Sequence, residues 1–336
     1  MKICIDARMY RESGIGRYIR NLLSSLQIID QENHYIILLT KENFQDFVLG
    51  KNFEKVLADF RWYGVAEQIK LLGLLKLFKP DLVHFPHFNA PLFYNGKFVV
   101  TVHDLIHQHY QMRRSTTHDP ITYKIKQIGY RAVFKNAVQK ACKILVPSNS
   151  VKDLLVKEWN IAGEKTVVTY EAVDDKIIKL SQACLPARQE SRFKSQKVLE
   201  KFNIKPPYIF YVGNAHPHKN IEGLIKVYFK LKMDSRLPAD RHGLCGNDSN
   251  RLKLVLSGHD HYFWQRIKKE NQVNGIIFTG EVTDEELVVL YKNAECFVMP
   301  SFEEGFGIPV LEAMASGCPV VCSDIRVFRE IGGAQF

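Results

Sequence analysis

The sequence predicts an α/β protein of two doubly wound domains, each a parallel sheet covered by helices on both faces. Short apolar runs of strand length alternate with segments of helical periodicity. That alternation lapses once, over residues 174–207, and then resumes. A chain of 336 residues with 46% apolar content is also large enough to bury two cores.

Residues 2–7 read as the first strand, and Ile15, Ile19, Leu22, Leu23 and Leu26 follow at helical spacing. Between them, residues 10–18 form a loop with Gly14 and Gly16. As a dinucleotide fingerprint this loop fails, because Ile19 stands where the third glycine belongs. Further strands are expected at 35–39, 82–84, 98–102 and 144–146. The run Pro147-Ser148-Asn149-Ser150 then leads into a helix over 151–159 with serine or asparagine as its cap, and 167–170 is the last strand of this half. Residues 174–207 carry charges, Gln, Ser and Pro without sustained apolar patterning, and are helical around 193–202. The expected organisation is an N-terminal domain over 1–178, a connecting segment over 179–205 and a C-terminal domain over 206–336. The second half has strands at 208–212, 252–257 and 276–278, a helix from Ile221 and a polar surface loop over 234–251.

Composition excludes several classes. No apolar run approaches the roughly 18 residues that suggest a membrane span. The N-terminus enters a strand directly and carries Asp6 where a signal peptide has its apolar region, so an intracellular protein is expected. Seven cysteines, at 4, 142, 184, 245, 296, 318 and 322, include no C-x-x-C pair and read as reduced core residues. The net charge of +10 is unevenly placed: residues 120–152 hold Lys124, Lys126, Arg131, Lys135, Lys140, Lys143 and Lys152 and no acid. Lys124, Arg131 and Lys135 share a helix face, which is either a solvated face or one attracted to an anionic membrane surface or a phosphorylated lipid acceptor. No nucleic-acid module accompanies the charge, and nucleic acid is not an expected partner.

Chemistry concentrates in residues 300–317, which lie between strand-like runs at 295–299 and 319–322. Pro309 fits the first helical position and Gly317 fits just past the helix end. Gly305 and Gly307 let the loop backbone approach a ligand, and the first-turn N–H groups favour an anion such as a phosphate. Glu304 on that loop is placed to accept from sugar hydroxyls, and Glu312, a turn into the helix, to grip another diol. Taken singly, either glutamate reads as a helix-dipole partner or a solvated charge.

Two more loops follow strands. Residues 212–220 contain Gly213, Asn214, His216 and His218, and put Lys219 beside a helix N-terminus, where an ammonium meets charge building on a leaving diphosphate. Thr101-Val102-His103-Asp104 ends a strand with an imidazole and a carboxylate. His103, His107 and His109, with His84 and His87 nearby in sequence, raise a metal-hydrolase alternative, which the lack of a compact H-E-x-x-H set disfavours.

Glu304 to Glu312, within E-G-F-G-I-P-V-L-E-A-M, resembles the E-x7-E signature of the retaining family 4 glycosyltransferases (glycosyl transferases group 1). The resemblance covers nearly the whole chain, with the Gly14/Gly16 loop, His103-Asp104, the Ser148 segment, the Gly213 to Lys219 loop and the two glutamates in the family's order. It implies a GT-B fold, two Rossmann-like domains facing across a cleft, and transfer of a hexose from a nucleotide diphosphate sugar to a hydroxyl of a glycan or lipid-linked acceptor. Carried over residue by residue, it makes His103, Lys219 and Glu304 catalytic. Gly213, Asn214, Lys219, Glu304, Gly305, Phe306, Gly307, Ile308 and Glu312 bind the donor, with Glu304 toward sugar hydroxyls and Glu312 toward the ribose. Gly14, Gly16 and Asp104 fall on the acceptor side. No cofactor and no metal are expected.

The family's arginine after the loop glycine is Asn214 here, while Lys219 matches its lysine. The P-H-K-N form of that loop is similar to mannosyltransferases that use GDP-mannose; a UDP-sugar is the other donor expected. The N-terminus and the basic stretch together lead to the expectation of a cytoplasmic protein, peripheral at the inner membrane face. Family members usually continue past residue 336 through a strand and helices, so the C-terminal portion is expected to be incomplete. A truncated or inactive homologue that binds sugar nucleotide or scaffolds partners is therefore the alternative. An epimerase on the same fold is a third reading, which the E-x7-E setting disfavours.

Overall fold

The computed structural model describes residues 1–45, 50–109, 120–183, 189–233, 252–271 and 275–333. The expected loop at 234–251, Cys184, Cys245, the side chains of Lys124 and Lys126, and residues 334–336 lie outside that set. The chain forms two compact units, one of Met1–His107 with Thr116–Glu171 and one of Gln108–Ser115 with Ala172–Phe336.

The first unit holds β1 (Lys2–Asp6), α1 (Ser13–Ile29), β2 (His34–Leu39), β3 (Phe53–Leu57), α2 (Val65–Phe78), β4 (Leu82–Phe85) and β5 (Phe98–Thr101). The short α3 (Ile106–His109) comes next, then α4 (Pro120–Lys140), β6 (Lys143–Val146), α5 (Asn149–Trp159) and β7 (Thr166–Val168). Its seven strands run in the order β3-β2-β1-β4-β5-β6-β7, every pair parallel. Central strands read as unbroken apolar runs because both faces are covered, as Tyr35 to Leu39 show.

Helix α1 lies tight against the loop before it. A Cβ on Gly16 would stand 2.5 Å from the Tyr10 carbonyl oxygen, so only glycine lets the helix start there. Ile19 and Leu23, four apart, then face the core with no exposure. At α5, Ser148 Oγ accepts from Val151 N at 3.3 Å and caps the helix expected from the sequence.

The second unit holds α6 (Asp175–Ala183), α7 (Gln189–Lys201), β8 (Tyr208–Val212), α8 (Ile221–Met233), β9 (Lys253–Ser257), α9 (Tyr262–Glu270) and β10 (Ile276–Gly280). It ends with α10 (Asp284–Asn293), β11 (Cys296–Met299), α11 (Ile308–Ala315), β12 (Val320–Cys322) and α12 (Arg326–Gly332). Its five strands run β10-β9-β8-β11-β12, again all parallel. Phe210, Tyr291 and Phe297 pack edge to face or tilted at 5.3 to 6.2 Å in its core. Thr283 and Glu286 form a reciprocal capping box that starts α10.

In each unit the strand order reverses beside the first strand, at β1/β4 and at β8/β11, and these switch points are where doubly wound sheets bind ligands. The structure differs from the sequence expectation in detail. Strand β3 was not anticipated, β7 ends at Val168 and not at residue 170, and the 174–207 stretch carries two helices. No described helix is long and apolar enough to cross a membrane.

Candidate active site

In the second unit, the loops after β8 and β11 meet at the switch point. Phe302 N donates to the His218 carbonyl at 2.8 Å, and Asn220 Nδ2 donates to the Pro300 carbonyl at 3.1 Å. These bonds bring Lys219 onto Glu304: its ammonium donates to the two carboxylate oxygens at 2.6 and 2.8 Å. Both side chains are largely buried, 13% and 7% exposed, so the pair is partly desolvated and stronger than a surface ion pair.

The loop then passes into α11 through Gly307, whose φ of +99° lies in the left-handed region. A Cβ there would come 2.6 Å from Phe328 Cε1, so backbone and packing both require glycine. Phe306 and Ile308 are buried, and Pro309 occupies one of the first two helical positions. Glu312 sits a turn into the helix, 3% exposed, with the Tyr291 hydroxyl donating to its Oε2 at 3.3 Å.

Beside Lys219, the His216 ring stacks on His218 at 5.8 Å and on His261 at 5.3 Å. Gly213 is held by Trp264, whose indole N–H donates to its carbonyl at 3.2 Å. The Tyr211 hydroxyl donates to the Asn214 carbonyl at 2.8 Å.

In the first unit His103 lies just past β5, with Glu171 Oε1 2.8 Å from Nδ1 and the Pro86 carbonyl 2.8 Å from Nε2. The Tyr18 ring meets it in a T-shaped contact at 4.9 Å. Burial works against charge on His103, but the Glu171 hydrogen bond and charge, the Pro86 carbonyl and Asp104 outweigh it and raise its pKa above the ordinary value. His84, buried and next to the charge on His103, is pushed down to about 4. Asp104 Oδ1 accepts from Ile106 N, the first residue of α3, at 3.0 Å. Gly14 has open space around its Cα, whereas Gly16 serves the close approach described above. Among the described residues no group of three or more His, Cys, Asp or Glu is placed to hold a metal ion.

The sequence matches the model of Glycosyltransferase Family 4 over residues 13–176 and that of Glycosyl transferases group 1 over residues 192–335. The chain belongs to this glycosyltransferase family. It is 29% identical over 96% of its length to O-antigen chain mannosyltransferase B of Escherichia coli, covering 82% of that protein. It is 31% identical over 80% of its length to O-antigen chain mannosyltransferase RfbU of Salmonella typhimurium, of which it spans 64%. Among solved structures, WaaG, a glycosyltransferase involved in lipopolysaccharide biosynthesis, superposes with a TM-score of 0.67 at 14% identity over 98% of this chain and 83% of that one. The fold is accordingly of the GT-B class, two Rossmann-like domains in one chain.

Several residues of this glycosyltransferase that shape the loops were not singled out by the sequence. Arg8 donates to Asp6 and to Glu67, each at 2.6 Å, in a fully buried network that Asn89 joins through Glu67. A signal for Glu67 existed: it stands one helical turn before Leu71 on the buried face of α2. Glu171 and His261 lacked one, since each depends on contacts distant in sequence.

Proposed function

We propose that this glycosyltransferase moves mannose from GDP-mannose to a hydroxyl of a glycan or lipid-linked acceptor, with retention at the anomeric carbon, in the synthesis of a cell-envelope polysaccharide. The observation that carries the reading is the Lys219–Glu304 pair at the switch point of the second unit, directly before a glycine-hinged helix start. The names of the relatives supply the mannosyl and polysaccharide parts of it.

A glycosyl transition state carries oxocarbenium character, so its main demand is on the departing diphosphate. Lys219 and the first-turn N–H groups of α11 are assigned to that charge. Glu304 takes sugar hydroxyls, Glu312 the ribose and His103 the donor sugar. In this structure Lys219 and Glu304 neutralise one another, and donor binding gives each a new partner, phosphate for the ammonium and hydroxyls for the carboxylate. The acceptor proton passes to the leaving phosphate oxygen, and no protein base is invoked. The basic face of α4 is assigned to an anionic membrane surface that presents the acceptor.

The test is calorimetric titration of the chain with GDP-mannose, UDP-glucose, UDP-N-acetylglucosamine and GDP, joined to NMR of the product's anomeric configuration. GDP-mannose is expected to bind, and Glu312→Ala to lose that binding. Lys219→Ala is expected to lower kcat about 100-fold, more than it weakens affinity, as the loss of one donor to developing charge does. Unchanged affinity in the first variant and unchanged rate in the second would overturn the site assignment, and an inverted product would overturn retention.

A further inference from the structure

Both nitrogens of the His103 ring lie 2.8 Å from an acceptor, one a backbone carbonyl and the other a carboxylate. A neutral imidazole has a single N–H, and the Pro86 oxygen has no proton to give. The two contacts are therefore satisfied together only when one extra proton is shared between ring and carboxylate. The ring is the stronger base, with an ordinary pKa of about 6.5 against about 4.3 for Glu, so the proton resides on the imidazole.

The groups around the ring agree with a fixed cation. Glu171 is its counter-ion, and its side chain is 10% exposed, so the pair is little screened by water. Asp104 adds negative charge from the same strand end. His84 from β4 is neutral at ordinary pH: its Nε2 lies 2.8 Å from Thr101 Oγ1, which is itself 3.1 Å from the Tyr18 hydroxyl. The His87 ring lies parallel to His103 at 6.5 Å. Tyr18 from α1 presents its ring to His103 and stays protonated, its pKa raised mainly by burial. Glu171 reaches this place because β7 ends at Val168. Thr169 N still bonds the Val146 carbonyl at 2.8 Å, and the next two residues carry the chain over the end of β6 toward β5.

We propose that Glu171 is a positioning residue of the transfer reaction: with the Pro86 carbonyl it clamps His103 in one orientation as an imidazolium, so that the residue assigned to the donor sugar acts as a fixed cation. The proposal rests on the assignment of His103 above. It adds a residue from the exit of the first unit and a charge state to that role. A cation at this place suits a reaction whose leaving group departs with negative charge.

The experiment compares the full chain with Glu171→Gln, which keeps the side chain's length and one acceptor oxygen but removes its charge. Ring 15N signals of labelled protein are followed against pH, with His103 identified by the signals lost in His103→Gln, and kcat/KM for transfer from GDP-mannose is measured over the same range. The expected result is that in Glu171→Gln the His103 ring loses its second proton about one pH unit lower or more, the alkaline limb of kcat/KM moves down with it, and the rate recovers at low pH. An unmoved ring titration overturns the proposal, as does a ring that moves while the activity profile stays. A purely structural role would lower activity at every pH alike. If the wild-type chain transfers nothing, the functional reading fails, and the ring titration still decides whether Glu171 sets the charge of His103.

Discussion

His84 and His103 are neighbours with opposite shifts, and the signs make a prediction. The His84 pKa falls to about 4 in the folded chain from 6.5. The unfolded chain therefore binds more protons in that interval, and the contribution of His84 to stability is present above about 6.5 and lost as pH falls toward 4. A shift of that size corresponds to about 3 kcal/mol at the acid end. His103, raised, does the reverse: its contribution is complete below about 6.5 and is lost as pH rises through the folded-state value. Urea unfolding at stepped pH should therefore show an acid decline that His84→Gln flattens and an alkaline decline that Glu171→Gln flattens. Slopes unchanged in both variants would show that neither histidine titrates as the geometry requires.

Among the elements, β11–α11 shows what the sequence makes legible. The strand-loop-helix-strand around Glu304 was readable because two apolar strands, two glycines and a proline each leave a local mark, and the structure places all of them together. Strand β3 left little mark, since Phe53–Leu57 is an edge strand with exposed Glu54 and Leu57, and its two buried side chains, Phe53 and Val56, lie on opposite faces without an alternating pattern. The helices α6 and α7 were blurred because exposed polar residues outnumber the few side chains they bury. Of the site, Lys219 and Glu304 stood out by their place after strands, but their mutual pairing could not be read, as 85 residues separate them.

Helix α2 was not anticipated, and its one buried acid supports a prediction. Glu67 accepts from Arg8, Asn89 and the Tyr63 amide, while its pKa is raised by burial against the pull of Arg8. Glu67→Ala removes one of the two carboxylates facing a fully buried guanidinium, and should cost about 3–5 kcal/mol. Denaturant unfolding checks it: a loss below about 1 kcal/mol would mean that Asp6 alone balances Arg8.

At the scale of the whole molecule, the net charge of +10 acts at a distance as well as locally. On α4 the described exposed face carries Arg131 and Lys135 beside Ile128, which is 69% exposed. Lys140 at the end of the helix points to another side of it and donates to the Leu92 carbonyl at 2.9 Å. An exposed apolar side chain flanked by cations, with no acid between residues 120 and 152, suits the boundary of an anionic bilayer, where cations meet headgroups and apolar groups enter beneath them. Each basic residue near such a surface contributes about 1 kcal/mol, so replacing Arg131 and Lys135 together by Gln should weaken vesicle binding about 30-fold. Cosedimentation with vesicles containing phosphatidylserine, compared with purely zwitterionic ones and repeated with rising salt, measures this. Attraction of this kind falls with screening over a Debye length of about 8 Å at physiological ionic strength. Equal binding to both vesicle types, or binding indifferent to salt and to the double substitution, would reduce the basic stretch to a solvated face.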